Sequence, residues 1–504
     1  VNKLLPERAS LLAVVAGALN TLAFAPFGAW PLAILSPLAL YLLLRNAGAG
    51  TGFRRGFAYG FGFWLSGVCW VYVSIHVYGY TPAAMAVTLT LLFAAMLALI
   101  FFAWWTALYA WLARGVLRPL LFTALWVLGE WVRSWLFTGF PWLYQGYAFI
   151  DTPLRGYAPV GGVLLVSALA VLAGALLLDV VRGTQRARVT GTMTLLFFFA
   201  GGYALTKVEW TQPLGEAKSV SLMQGNIPQD MKWLTEMQAP TIQIYRDLTR
   251  DEWGRDILIW PESAIPLFVH EGIPLLEHLR DEANASGSAF ITGMPYVYTL
   301  NGENVFHNSV LSLAGEGRFE DNPPAMYHKV HLVPFGEVVP FASLLRAIAP
   351  FFALEGIPLE GFQRGTANQP PLPAAGLGLA TFLCYEIVYP DYVRRQAATA
   401  DVLLTVSNDG WFGASHGPHQ HFEIARMRAV ETGRWLLRGT NTGISAVVAP
   451  DGSVVKRAPQ FERTLLRGEV TAMKGTTPYM VWGNLPVLLA AIFLVLVALR
   501  RRNN

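Results

Sequence analysis

Three reactive side chains close three short apolar runs in the second half of the chain, and their types suit acyl transfer. "DILIWPES" carries Glu262 next to its end, "AMYHKVHLV" carries Lys329, and "LGLATFLCYE" closes on Cys384, Tyr385 and Glu386. A cysteine attacks as its thiolate and needs a neighbouring base or positive charge. An ester or amide under attack develops an oxyanion, which an ammonium can stabilise. One acid, one lysine and one thiol are therefore a sufficient set for acyl-enzyme chemistry, although spacing alone does not bring them together. Glu337 follows Lys329 by eight residues, and Tyr385 follows the thiol directly.

The elements that carry these groups read as an α/β domain. From about Ala217 to Met473, runs of strand length are bounded by turn residues: "SVSLMQG", "DILIWPES", "SAFITGMPYV", "NSVLSLA", "AMYHKVHLV", "LGLATFLCYE", "ADVLLTVSND" and "GISAVVAPDG". Helical patterns sit between several of them, as in "APTIQIYRDLTRDEW" and "HFEIARMRAVETGRWLLRG". Strands interleaved with helices predict layered α/β architecture over 217–473. No internal repeat or low-complexity tract interrupts it.

The remainder is too apolar for water. Hydrophobic residues make up 54% of the chain and charged residues 14%, against roughly a quarter charged in ordinary soluble domains. Apolar windows at Leu11–Phe27, Leu32–Leu44, Phe57–Ile75, Ala84–Ala113, Leu120–Phe137, Gly161–Val181 and Gly191–Leu205 predict seven membrane spans over 1–210, one of the first two being a candidate re-entrant hairpin. Leu485–Leu499 supplies an eighth within 474–504. Thirteen Lys and Arg fall in the segments that would face the cytoplasm with the N-terminus inside, and only Arg155 in the outer short loops. That bias places both chain ends in the cytoplasm and the α/β domain outside it. No small-residue cleavage site follows the first apolar stretch, which reads as retained. The net charge of +4 follows from this layout, and no nucleic-acid partner is implied.

The layout bears on the two cysteines. Outside the cytoplasm thiols tend to be oxidised, and Cys384 has no partner cysteine in its domain, which marks it as a reactive thiol. Cys69, inside a predicted span beside Trp70, reads as a packing residue.

"WPESAIP", "YHKVHLVPFGE" and "FLCYEIVYPD" together resemble the three signature segments of the nitrilase superfamily. A domain of that kind between seven preceding spans and one following span resembles the bacterial apolipoprotein N-acyltransferases, over essentially the whole chain. The resemblance implies an α-β-β-α sandwich with Glu262 as general base, Lys329 as oxyanion donor and Cys384 as nucleophile. It further implies that Glu337 positions the lysine, and that Tyr385, Glu386 and Trp233 are needed for activity. Trp411 and Phe412, in "SNDGWFG", would line the acyl site. No cofactor or metal is implied. The partners implied are a phospholipid acyl donor, a diacylglyceryl-modified apolipoprotein acceptor and the bilayer of the bacterial inner membrane. One departure stands out: soluble amidases usually carry Arg four residues after the nucleophile, whereas this chain has Val388, which fits a lipid-handling site. A membrane-anchored amidase or lipid hydrolase using water with the same residues is the alternative, and a transporter or assembly scaffold a third.

Four other signals carry less. "FASLLRAIAPFFALEGIPLEGF", Phe341 to Phe362, is either a core helix with its loop or a lid leaning on the bilayer. His416, His419 and His421 lack the usual zinc spacing and read as polar residues of a helix entry. "GAGTG", Gly48 to Gly52, lacks the end of a phosphate loop and reads as a flexible turn. Glu130 and Arg133, one helical turn apart near a span end, suit either a self-neutralising pair or a lipid headgroup contact.

Overall fold

The computed structural model describes residues 6–334, 336–338 and 361–503. Residues 341–360, most of the candidate lid, lie outside them. The chain divides into two compact units: Val1–Trp210 with Trp411–Gly433 and Thr476–Asn504, and Thr211–Gly410 with Arg434–Gly475.

The first unit is helical. Each predicted apolar window contains a helix, including Pro6–Asn20, Leu32–Leu44, Arg118–Arg133, Gln185–Leu205 and Leu485–Asn503. Among the described residues, two helical stretches are long and apolar enough to cross a membrane, Ala83–Leu112 and Pro153–Arg182, or three if a bent pair is one span. The other helices fall short for physical reasons. Leu32–Leu44 has 13 residues, which at about 1.5 Å of rise each leaves it short of a ~30 Å hydrocarbon core. Gln185–Leu205 opens on Arg186 and Arg188, and Leu485–Asn503 closes on Arg500 to Arg502.

The bent pair is Ala49–Gly67 with Val71–Tyr78, at 61°. It replaces the continuous span expected over Phe57–Ile75, because the helix stops at Gly67. Cys69 lies at this break and is exposed rather than packed. The predicted turn at Gly48 to Gly52 is also corrected: Gly48 caps the helix and Ala49 begins it. Small residues are needed further along this helix for close approach. A Cβ on Gly62 would sit 2.0 Å from the Val14 carbonyl oxygen, so only glycine lets the backbones of 49–67 and 6–20 touch. Glu130 and Arg133 are both buried; Glu130 accepts from the Gln145 amide at 2.7 Å and the Trp126 indole at 3.1 Å, while Arg133 lies over the Trp64 and Tyr144 rings. Arg133 Nη2 lies 3.8 Å from Glu130 Oε1, the separation of a self-neutralising pair.

The second unit contains, among the described residues, twelve strands in two six-stranded mixed sheets. The first sheet is formed by β1 (Gln212–Gln224), β2 (Ile257–Ile259), β3 (Ala289–Leu300), β4 (Glu303–Ser312), β5 (Ala325–His328) and, from the chain's far end, β12 (Thr464–Lys474). Its order is β12-β1-β2-β3-β4-β5. The second comprises β6 (Leu372–Ala374), β7 (Leu377–Leu383), β8 (Val402–Ser407), β9 (Leu436–Thr440), β10 (Ala446–Val448) and β11 (Val454–Arg457), in reverse sequence order. In each sheet three neighbouring strands run parallel, β1-β2-β3 and β7-β8-β9. Strands covered on both faces read as unbroken apolar runs, and β2, β8, β9 and β10 are buried throughout. The sheets face one another at Gly439, where a Cβ would stand 3.5 Å from Ile259 and 3.7 Å from Leu222.

Helices cover the outer faces. Thr235–Thr249 and Ile273–Ser286 bury Tyr245, Leu276, Leu279 and Ala283 against Leu258, Trp260 and Phe290 of the first sheet. Pro390–Ala397 sets Tyr392 edge-on to Phe382 of β7. The helix expected over "HFEIARMRAVETGRWLLRG" is shorter than its pattern. It spans Gly417–Thr432, within the helical unit, and ends where Gly433 takes a left-handed φ of 61°. The residues after it turn back as β9.

Candidate active site

Glu262 stands just beyond the C-terminal end of β2. The turn that carries it runs against β3, where a Cβ on Gly293 would meet the Ser263 nitrogen at 2.6 Å and the Glu262 Cα at 2.7 Å. Only glycine leaves room for it. Ser263 adopts a left-handed φ of 47°, so the chain turns sharply directly after the acid. The Glu262 carboxylate then accepts from Asn308 Nδ2 at 2.8 Å and from the Asn408 amide at 2.8 Å.

Lys329 follows β5 directly and is fully buried. Its Nζ lies 2.8 Å from both Glu337 oxygens and 3.7 Å from Glu262 Oε1. Burial alone would lower the pKa of this ammonium, but Glu337, Glu262 and Cys384 outweigh it and hold the pKa above the ordinary lysine value. Lys329 is thus a fixed positive charge. Glu337 is itself held by the Val333 amide at 2.9 Å and by Asn308 Nδ2 at 2.9 Å. One asparagine amide therefore bridges both acids.

Cys384 opens a short 3₁₀ turn, Cys384–Val388, at the end of β7. Its φ of 50° is left-handed and unusual for a residue with a Cβ, a conformation costing roughly 1–3 kcal/mol that surrounding structure must enforce. Burial pushes its thiol well above the ordinary range and Glu262 adds to this, with Lys329 acting in the opposite sense. At neutral pH the sulfur holds its proton, so attack needs a base to take it. Of the three carboxylates whose charge reaches the thiol, Glu262 acts most strongly, ahead of Asp409 and Glu337.

Glu386 enforces the turn. Its Oε2 accepts from the Leu383 amide at 2.7 Å and the Tyr327 hydroxyl at 2.8 Å, and its Oε1 from the Val330 and His331 amides at 2.6 and 3.0 Å. Leu383 precedes the thiol and Val330 follows the lysine, so one buried carboxylate ties the two reactive segments together. Burial pushes its pKa up to about 7 against the pull of those amides. Tyr385 is buried with its ring edge-on to Tyr389.

The structure thus brings together Glu262, Lys329, Glu337, Cys384, Tyr385 and Glu386. Trp233 is half exposed on the loop after β1, beside Lys232. Trp411 and Phe412 belong to the helical unit, where Ser74 donates to the Trp411 carbonyl and Phe412 packs on the Trp70 ring at 4.6 Å. His416 Nε2 lies 3.1 Å from the Gly67 carbonyl oxygen in the same unit.

Sequence reasoning missed three residues. Asn308 and Asn408 hold the Glu262 carboxylate, and Lys232 donates from Nζ to the Glu262 carbonyl oxygen at 2.9 Å. Asn308 opens the strand run "NSVLSLA", Asn408 lies in "SNDGWFG" and Lys232 adjoins Trp233, so each stood beside a signal read for another reason.

Stacked mixed sheets with an acid, a lysine and a thiol at neighbouring strand ends define a carbon–nitrogen hydrolase, and residues 219–479 match that family's model. Residues 16–176 match the apolipoprotein N-acyltransferase N-terminal domain. The chain belongs to the apolipoprotein N-acyltransferase family. The apolipoprotein N-acyltransferase of Azotobacter vinelandii is 44% identical over 98% of this chain and 95% of its own length. That of Pseudomonas syringae is 42% identical over 96% and 95%, and that of Vibrio parahaemolyticus 41% over 95% and 94%.

Proposed function

We propose that this enzyme moves an acyl chain from a membrane phospholipid, through a thioester on Cys384, to the α-amine of the diacylglyceryl-cysteine that begins an apolipoprotein. In the first half-reaction Glu262 takes the thiol proton as sulfur attacks the ester carbonyl. Lys329 stabilises the oxyanion. Collapse breaks the carbon–oxygen bond, and Glu262 returns the proton to the departing alkoxide, releasing a lysophospholipid. In the second half the amine attacks the thioester, the carbon–sulfur bond breaks, and the amine's proton passes through Glu262 to the thiolate. Glu337 keeps Lys329 in place throughout.

The observation that carries this reading is the ion-paired Lys329, set 2.8 Å from Glu337 and 3.7 Å from Glu262, in electrostatic contact with the partly buried thiol of Cys384. Membership of the family supports the substrates. Each is anchored by chains whose extraction costs about 0.8 kcal/mol per CH₂, so the chemistry belongs at a bilayer. The helical unit supplies that attachment, with about eight spans, its Lys- and Arg-rich loops on the cytoplasmic side and the reactive unit opposite. Trp233, Trp411 and Phe412 are the aromatic residues offered to the acyl chains. The test supplies purified protein with a diacyl phospholipid and a diacylglyceryl-cysteinyl peptide. Formation of lysophospholipid and peptide amide in equal amounts supports the transfer; free fatty acid in place of amide would identify a hydrolase.

A further inference from the structure

Glu262 and Glu337 outnumber Lys329 by one charge, and Glu386, in the same field, adds to the excess when ionised. A buried excess of negative charge opposes a thiolate and a tetrahedral oxyanion alike. The remaining acid in reach of the thiol, Asp409, does not change the balance, because Arg438 pairs with it at 2.7 Å.

We infer that Lys232 is the second cation of this site, balancing the carboxylates so that negative charge can form at Cys384. The side chain is buried, with Nζ donating to the carbonyl oxygen of Glu262 itself. Its electrostatic partners are Glu262 and Cys384, the two groups that exchange the proton. It differs from Lys329, which two carboxylates lock in the charged form. Burial pushes Lys232 down to about 8. Its charge is present below that pH and lost above it. Lys232 acts through its field on Glu262 and the thiol, a positioning rather than a bond-making role. The same bond ties the loop bearing Trp233 to the base.

This inference rests on Cys384 being the nucleophile, but alkylation of the thiol reads its ionisation whether or not acyl transfer occurs. The full-length protein in detergent is treated with iodoacetamide at a series of pH values, and modification is followed on the peptide containing Cys384. The charged-lysine thiolate and the neutral-lysine thiol carry the same number of protons, so their ratio does not vary with pH. The logarithm of the wild-type rate should therefore rise about one unit per pH unit below about pH 8 and level off above it. Lys232→Gln keeps a donor for the Glu262 carbonyl and removes only the charge; it should slow alkylation at neutral pH about tenfold or more. Lys232→Arg, charged at every pH tested, should lose the plateau and keep rising. A wild-type profile straight through pH 8, or a Lys232→Gln variant alkylated like wild type, would overturn the assignment.

Discussion

Asn308 and Glu262 are joined at 2.8 Å by an amide-to-carboxylate hydrogen bond, and the same Nδ2 donates to Glu337 at 2.9 Å. The two acids thereby flank Lys329 from fixed positions. Asn308→Ala should lower the rate of Cys384 acylation about a hundredfold, the scale on which positioned general bases act. Hydrogen bonds to charged groups contribute about 1.5–3 kcal/mol each, so the variant should also melt earlier. Single-turnover acylation beside a thermal melt checks both; acylation at the wild-type rate would show that Glu337 and Asn408 suffice.

Gly293→Ala puts a methyl 2.7 Å from the Glu262 Cα and from the Pro261 carbonyl oxygen, both backbone atoms that cannot swing aside. The turn must shift, carrying the base with it. A misplacement of about 1 Å costs on the order of a hundredfold in rate. The expected signature is a fall in kcat while the thiol of Cys384 remains titratable.

Glu386 makes a pH prediction whose sign can be worked out. Its folded-state pKa, about 7, lies above the ordinary glutamate value, so between about 4.5 and about 7 the folded protein holds a proton that the unfolded chain has released. This group's contribution to stability is fully present below that window and is lost as pH rises through it. Glu386→Gln should flatten that part of the Tm-against-pH curve. It should also lower Tm throughout, because an amide NH₂ placed at Oε2 faces the Leu383 N–H, a donor against a donor. A Tm profile parallel to wild type would refute the assigned proton.

In the helical unit, Gly62→Val would drive side-chain atoms into the Val14 carbonyl, 2.0 Å from where a Cβ would stand. Helices 6–20 and 49–67 must separate. The expected outcome is a lower yield of folded protein after membrane extraction, read by size-exclusion profile.

How much of this was legible follows from where each signal is stored. Glu262, Lys329 and Cys384 sit at the ends of short apolar runs, and a strand end is visible in one dimension. The buried strands β2 and β8 announced themselves as continuous apolar stretches. Strand β9 did not, because "RWLLRG" continues the apolar spacing of the helix before it and only the left-handed Gly433 separates them. Strand β11, exposed along its length, offers no burial pattern to read. Asn308, Lys232 and Gly293 were invisible for a different reason. Each matters through what lies opposite it in space, Glu262 in all three cases, and a lysine or asparagine in sequence looks the same whether solvated or enclosed. In the helical unit the apolar windows located the helices, but the last two run beyond their windows of 191–205 and 485–499 to take in Arg186, Arg188 and Arg500 to Arg502, and those charges count against a span.

The central claim is that Cys384 carries the acyl group between two substrates. Its most direct measurement is the intact mass of the purified protein after incubation with a diacyl phospholipid, with the adduct mapped by peptide and then challenged with a diacylglyceryl-cysteinyl peptide. The account predicts one acyl adduct, on Cys384 and cleaved by hydroxylamine, that disappears as the peptide gains an amide. An adduct mapping to another residue, or one lost equally fast without the peptide, would contradict it.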